Sequence, residues 1–296
     1  MVKNHTITIA IASGKGGTGK TLVATNLFYV LQQLDYQVTL VDCDAEEPND
    51  LCFFSGEVVK SVDVYQRVPV IDENKCVFCG KCHEYCNYNA IFILPQAKII
   101  KVIDDICHGC GACSVACSFD AIREKDVILG TVSCYSITDH TAIVEARMEV
   151  GVLSPVPVIK TAIKEADNIG IVLLDSSPGT SCPFIQTVIN ADYVILVTEP
   201  TPFGLSDLKQ SVETLKTLNK PYGVIINRVG LGNCDVEDYL REEKITDLMD
   251  IPYDKAIASH YSNGLIAIRD KQNWQNKFSS MFDKIHQEYG NCVNQR

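Results

Sequence analysis

The sequence predicts an α/β protein, a mostly parallel β-sheet flanked by helices and interrupted by a small cysteine-rich α+β unit. Three observations carry that expectation. Short continuous apolar runs recur, each bounded by turn residues, as strands buried on both faces of a parallel sheet require. Segments of helical period alternate with them. Eight of the 14 cysteines fall into two tight clusters within one stretch of chain. Residues 1–67 and 128–296 are accordingly assigned to the sheet domain and residues 68–127 to the insert.

The totals agree with this division. A chain of 296 residues, 46% of them hydrophobic, can bury a sizeable core in two units. A formal charge of −11 argues against nucleic acid as a partner, because phosphate contacts need a basic face. No apolar run reaches the length of a membrane span, so no stable membrane insertion is expected. The N-terminus enters a strand almost at once and leaves no room for a secretory signal, which points to a cytoplasmic protein. Clustered thiols in that compartment read as metal ligands rather than disulfides.

Residues 7–12 should form the first strand and residues 18–34 the first helix, whose Leu22, Val23, Leu27, Val30 and Leu31 lie near a 3.6 period. Between them Ser13 to Thr21 reads SGKGGTGKT, with Gly14, Gly19, Lys20 and Thr21 at the offsets of G-x-x-x-x-G-K-[ST]. Gly14, Gly16, Gly17 and Gly19, with Thr18 among them, let backbone N–H groups turn toward phosphate oxygens at a helix N-terminus. Lys20 would reach the β- and γ-phosphates and the Thr21 hydroxyl would hold Mg²⁺, so ATP and Mg²⁺ are the expected ligands.

A second lysine, Lys15, follows Gly14 directly. The loop therefore resembles the deviant Walker A P-loop of the MinD/ParA/Mrp ATPases and the nitrogenase iron protein. That resemblance implies a catalytic role for Lys15 across a subunit interface, and hence a homodimer with nucleotide at the interface. Residues 37–41 form the next strand, which ends at Asp42-Cys43-Asp44. Carboxylates at such a strand end sit where ligands bind in open α/β sheets. An isolated D-x-D would read as a solvated turn; after this loop it resembles switch I. The resemblance implies that Asp44 orients the attacking water and that Asp42 lies near the Mg²⁺ shell.

The pattern breaks after Asn49. Between about residues 68 and 126 the chain repeats internally: Cys76, Cys79, Cys82 and Cys86 match Cys107, Cys110, Cys113 and Cys117 at one constant offset. Each run is C-x2-C-x2-C-x3-C, the spacing of bacterial two-cluster ferredoxins. Short spacers let three thiolates converge on one cubane, while the fourth cysteine lies past the turn and faces the other cluster. Cys76, Cys79, Cys82 and Cys117 are thus assigned to one [4Fe–4S] cluster, and Cys107, Cys110, Cys113 and Cys86 to a second. Structural zinc also uses paired C-x2-C elements, but duplicated four-cysteine runs favour clusters. The runs depart from the usual Cys-Pro ending, with Asn87 after Cys86 and Ser118 after Cys117. His108 reads as a solvent-facing loop residue, since no cysteine is missing for it to replace.

The sheet domain then resumes. Residues 128–150 suggest one or two strands, residues 158–166 a helix, and residues 169–174 a strand ending at Asp175. By resemblance Asp175 belongs to a Walker B segment and binds Mg²⁺ through water, with switch II after it. Cys182 follows closely; the bland reading is a buried hydrophobe, the sharper one a thiol near the dimer interface. Cys43, Cys52, Cys134, Cys234 and Cys292 lack partner spacing and read as hydrophobes. Residues 193–197 form another strand, residues 205–218 a helix, and residues 222–226 a strand ending at Asn227. An asparagine there meets the adenine ring in the resembled family, though Asn also suits an ordinary turn. Residues 251–254, Ile-Pro-Tyr-Asp, resemble the late I-P-x-D segment that closes the nucleotide pocket. The last helix places Trp274, Phe278, Met281, Phe282, Ile285 and Tyr289 at helical spacing. Its polar face is mixed in charge, which favours packing on the sheet over membrane contact.

The whole chain thus resembles a MinD-superfamily ATPase carrying a two-cluster ferredoxin insert. That resemblance implies ATP hydrolysis coupled to low-potential electron transfer or to metal-cluster assembly in a protein client. The alternative is a MinD/ParA-like positioning ATPase with structural or redox-sensing clusters.

Overall fold

The computed structural model describes residues 7–166 and 170–293, with side chains up to residue 287. Ile169, expected at a strand start, and the side chains of Tyr289 and Cys292 lie outside the described residues. The chain divides into two compact units: Met1–Ser61 with Val132–Arg147 and Val158–Arg296, and Val62–Thr131 with Met148–Pro157.

The elements run in order as β1 (Ile7–Ala12), α1 (Lys20–Gln33), β2 (Val38–Cys43), β3 (Glu57–Ile71), α2 (Lys81–Glu84), β4 (Ile91–Leu94) and β5 (Ile99–Val102). They continue through α3 (Ala112–Ala116), β6 (Ile122–Thr138), β7 (Thr141–Met148), α4 (Val156–Glu165), β8 (Ile171–Ser176), α5 (Cys182–Ile189) and β9 (Tyr193–Thr198). The last are α6 (Pro202–Thr217), β10 (Tyr222–Val229), α7 (Asp235–Glu242), β11 (Asp247–Pro252), α8 (Lys255–Ser262) and α9 (Gln272–Val293).

One nine-stranded sheet has the order β11-β10-β9-β1-β8-β2-β7-β6-β3. From β11 to β7 every neighbouring pair is parallel, and β1, β2, β8 and β9 are buried almost throughout. Those are the continuous apolar runs of the sequence, covered on both faces as a parallel sheet must be. Residues 139–140 alone join β6 to β7, a connection too short for a parallel crossover, so the sheet turns antiparallel there.

The core explains the last helix. Phe278, Met281, Phe282 and Ile285 of α9 are each at most 2% exposed and share a cluster with Leu27, Phe28 and Leu31 of α1. Tyr36 meets Phe282 edge-on, with ring centroids 5.6 Å apart. Each fully buried side chain of this size contributes about 1.5–3 kcal/mol through removal from water. The apolar stripe is therefore core, and no helix among the described residues is long and apolar enough to cross a membrane.

Two differences from the sequence reading have plain causes. Helix α1 begins at Lys20 rather than at residue 18, because Gly19 sits at φ 102°, in the left-handed region. Strand β3 lies outside the strands the sequence predicts. It is the outermost strand, with Val58, Val59 and Tyr65 exposed, so it offers no continuous core-facing run.

The second unit has its own small core. Strands β4 and β5 pair antiparallel, with Ile91 opposite Val102 and Ile93 opposite Ile100. Ile91 and Ile100 pack with Cys82 of α2 and Cys113 of α3, and with the partly buried Ile71, Cys76, Phe78, Ile93 and Ile122 around them.

Candidate functional site

The SGKGGTGKT loop runs from the C-terminal end of β1 into α1, at the carboxyl edge of the sheet where open α/β folds bind ligands. Gly14 is there for space: a Cβ would lie 2.5 Å from the Asp207 carbonyl oxygen. Gly19 caps α1 without any side-chain hydrogen bond, so the helix's first N–H groups have no capping side chain. Lys20 is 8% exposed. Burial lowers its pKa, with the Asp175 and Asp44 carboxylates opposing that shift.

Thr21 and Asp175 stand together. The Thr21 hydroxyl donates to Asp175 Oδ2 at 2.6 Å, while Asp175 Oδ1 is buried without a partner among the described residues. Asp42 lies beside Asp175 in register on adjacent parallel strands. Its carboxylate accepts from three backbone N–H groups, Asp44 (3.1 Å), Asn49 (2.7 Å) and Asp50 (3.0 Å), and so pins the loop after β2. Burial, then the neighbouring Asp175 charge, pushes Asp42 up to about 8. Burial raises Asp175 to about 6 against the Thr21 hydrogen bond and Lys20. A divalent cation beside them would reverse both shifts.

Asp50 escaped the sequence reading. It is fully buried, both carboxylate oxygens lack partners among the described residues, and burial with Asp42 and Asp175 nearby raises its pKa. No motif marks it; its meaning comes from burial alone. Asp44 is half-buried, and burial raises its pKa against the pull of Lys20. The buried Thr18 hydroxyl is also without a partner among the described residues. Unpaired donors and acceptors clustered at a glycine-rich helix start fit a triphosphate and its hydrated cation. Thr21 and Asp175 would hold Mg²⁺, which is usually bound by one or two protein groups together with phosphates and water.

Two expected contacts are differently engaged. The Asn227 amide donates to the Thr18 carbonyl at 2.7 Å and packs against Gly19, so it braces the loop from β10. Lys15 donates to Glu199 Oε1 at 2.6 Å within its own chain, and Arg228 Nη1 reaches Glu199 Oε2 at 2.8 Å. Glu199, just past β9, is the second residue without a sequence motif. Burial would raise its pKa, but Lys15 and Arg228 outweigh that and hold it down.

In the second unit, one small pocket is lined by Cys76, Cys79, Cys82 and Cys117. Another is lined by Cys86, Cys107, Cys110 and Cys113. Each set combines three cysteines of one run with the fourth of the other. Among the described residues no three His, Cys, Asp or Glu side chains stand close enough to share one ion. Four thiols line each pocket, the donor number of a [4Fe–4S] cluster, so the residues present fit that group. Backbone N–H groups of Phe78, Gly109 and Ala90 point at Cys76, Cys107 and Cys86 sulfurs at 3.3–3.4 Å. Such donors stabilise thiolates and tune clusters. His108 is exposed as expected, and stacks on Tyr88 with centroids 3.8 Å apart.

Among the remaining thiols, Cys43 is buried and its pKa raised, an inert hydrophobe. Cys52, Cys182 and Cys234 are exposed, so the buried-hydrophobe reading does not hold for them: Cys52 ends a short 3-10 turn, Cys182 opens α5 and Cys234 precedes α7.

A parallel sheet with this loop, a strand-terminal Asp bound to its threonine and a buried loop lysine defines a P-loop nucleotide-binding protein. The chain belongs to the CobQ/CobB/MinD/ParA nucleotide-binding domain family, which matches residues 9–268. An uncharacterized protein of Methanocaldococcus jannaschii is 32% identical over 266 residues, 86% of this chain and 89% of that one. An iron-sulfur cluster carrier protein of Aquifex aeolicus is 45% identical over 67 residues, only 22% of this chain and 18% of its own length. The fold matches the cell division ATPase MinD of Pyrococcus furiosus with TM-score 0.59 and 21% identity, covering 96% of this chain and 99% of that one. It also matches the septum site-determining MinD of Pyrococcus horikoshii, solved with Mg-ADP, with TM-score 0.57 and 20% identity, covering 95% and 96%.

Proposed function

We propose that this protein is a MinD/ParA-type ATPase that works as a nucleotide-driven switch, pairs as a homodimer around ATP, and carries two [4Fe–4S] clusters in a structural or redox-sensing role. The Thr21–Asp175 hydrogen bond at 2.6 Å is the observation that carries the ATPase reading. It joins the residues a P-loop protein uses to hold Mg²⁺. Lys20, the loop amides and Mg²⁺ would stabilise charge on the transferring phosphoryl group, Lys15 would add charge from the partner subunit, and Asp44 would position water. The MinD structures favour this positioning-type reading over a dedicated electron carrier.

The cluster assignment is supported by the two cavities, each lined by three cysteines of one run and one of the other. Clusters so held would supply one-electron chemistry. A second reading, electron transfer or cluster assembly for a protein client, draws on the 45% identity with the iron-sulfur cluster carrier segment. It also draws on chain order, since the second unit lies between β2 and β8, whose ends carry Asp42 and Asp175.

One titration separates these readings. Cluster midpoint potentials are measured by EPR on anaerobically reconstituted protein without nucleotide, with MgADP and with a non-hydrolysable MgATP analogue. A shift of about 59 mV corresponds to roughly 1.4 kcal/mol of coupling and supports the electron-transfer or assembly reading. Equal potentials in all three states support structural or sensing clusters. Absence of any cluster signal after reconstitution refutes the cluster assignment itself.

A further inference from the structure

We propose that Glu199 is a positioning residue that holds Lys15 within its own subunit, and that nucleotide-dependent pairing of two copies moves Lys15 off Glu199 while Arg228 keeps the carboxylate paired. This rests on the homodimer reading above.

The geometry is a closed set of charged contacts around the loop. Glu199 Oε1 accepts from Lys15 Nζ at 2.6 Å and from the Thr201 hydroxyl at 3.3 Å. Glu199 Oε2 accepts from Arg228 Nη1 at 2.8 Å, and Arg228 Nη2 donates to the Gly17 carbonyl at 3.1 Å. The Glu199 side chain is only 11% exposed, whereas those of Lys15 and Arg228 are 32% and 45% exposed.

Those exposures decide which partner can leave. A buried carboxylate stripped of its only cation would be left uncompensated, which is strongly destabilising. Glu199 has two cations. Arg228 holds two acceptors at once through its planar fork, so it is the anchored one. Lys15 is a compact charge on a flexible stem, its ammonium bonds this carboxylate, and its side chain is partly open to solvent. Its departure leaves Glu199 paired with Arg228 and leaves Arg228 bound to the loop. Arg228 also stands in the left-handed region at φ 60°, a costly conformation for a non-glycine residue that a fixed purpose would justify. While Lys15 rests on Glu199 it is not offered to another subunit, so the pair sets a threshold for dimer formation.

The test is sedimentation velocity over a concentration series with saturating non-hydrolysable MgATP analogue, for wild type, Glu199→Gln, Lys15→Ala and the double variant. Reactivity of Lys15 toward an amine reagent, read by peptide mass spectrometry on the nucleotide-free monomer, accompanies it. Expected are about a tenfold lower dimer Kd in Glu199→Gln, loss of that gain in the double variant, and faster Lys15 labelling in Glu199→Gln than in wild type. Should Glu199→Gln fail to fold, Glu199→Asp replaces it: the shorter carboxylate cannot keep both cations, and Lys15 labelling must rise. A wild type that dimerises while Glu199→Gln shows the same Kd, or equal labelling in both, overturns the Glu199 proposal alone. A wild type that stays monomeric with the analogue overturns the homodimer reading and this proposal with it.

Discussion

The hydroxyl of Thr21 donates to Asp175 Oδ2 at 2.6 Å, joining the end of the nucleotide loop to the end of a strand 154 residues away. Asp175 Oδ1 remains buried and unpaired among the described residues. Replacing Asp175 with Asn removes the charge but keeps the shape. Mg²⁺ should then add almost nothing to nucleotide affinity, a loss of about tenfold or more, while binding in EDTA changes little. Calorimetric titration of ADP with and without Mg²⁺ reads both; an unchanged Mg²⁺ effect would exclude Asp175 from the cation site.

The buried carboxylates also set a pH dependence. Burial raises Asp42 to about 8 and Asp175 to about 6 from an ordinary 3.8, and raises Asp50 as well. An acid whose folded pKa lies above its unfolded one binds protons more tightly when folded. Its stabilising contribution is full below the unfolded pKa and is lost as pH rises through the folded value. The nucleotide-free protein should therefore resist urea less as pH climbs from about 5 to about 8.5. Asp42→Asn should flatten the upper part of that slope, and MgADP should reduce it by supplying a cation. Urea midpoints that hold steady or increase over this range would contradict the argument.

In the second unit the fourth cysteine of each run lines the other run's cavity. Cys86→Ala should therefore impair the cluster of Cys107, Cys110 and Cys113 and spare that of Cys76, Cys79 and Cys82. Cys117→Ala should do the reverse. Mössbauer spectra and iron content of the two variants, each losing about half the iron if a cluster needs all four thiolates, would check this. Loss confined to the mutated run's own cluster would mean that the runs do not cross.

Much of this was legible because the signals were local. The loop spacing, the Asp at the end of β8 and the C-x2-C runs each need only a few adjacent residues, and short-range spacing survives folding. Glu199 and Asp50 were not legible. Glu199 matters because Lys15 and Arg228, 184 and 29 residues away, come to it. Asp50 matters because it is fully buried, yet beside Asn49 it reads as an ordinary polar turn. Strand β3 is hard to read for the opposite reason: it is exposed, and an edge strand needs no apolar run. Its alternation around Val62 and Val64 was the available signal.

Two glycines of the same loop separate space from conformation. At Gly14 a Cβ would stand 2.5 Å from the Asp207 carbonyl and 2.6 Å from its Cβ, and neither can yield without moving α6. At Gly16 the nearest atom would be the Pro178 Cβ at 3.9 Å, an ordinary contact. Gly14→Ala should thus destabilise the nucleotide-free protein by about 1–3 kcal/mol, the usual penalty of overpacking. Gly16→Ala should stay within about 0.5 kcal/mol of wild type, as a surface change without strain does. Thermal or urea unfolding of the two variants decides it, and because no nucleotide is present the comparison isolates packing from binding. Equal losses at both positions would mean that the loop's backbone conformation, rather than the approach of α6, requires glycine at position 14.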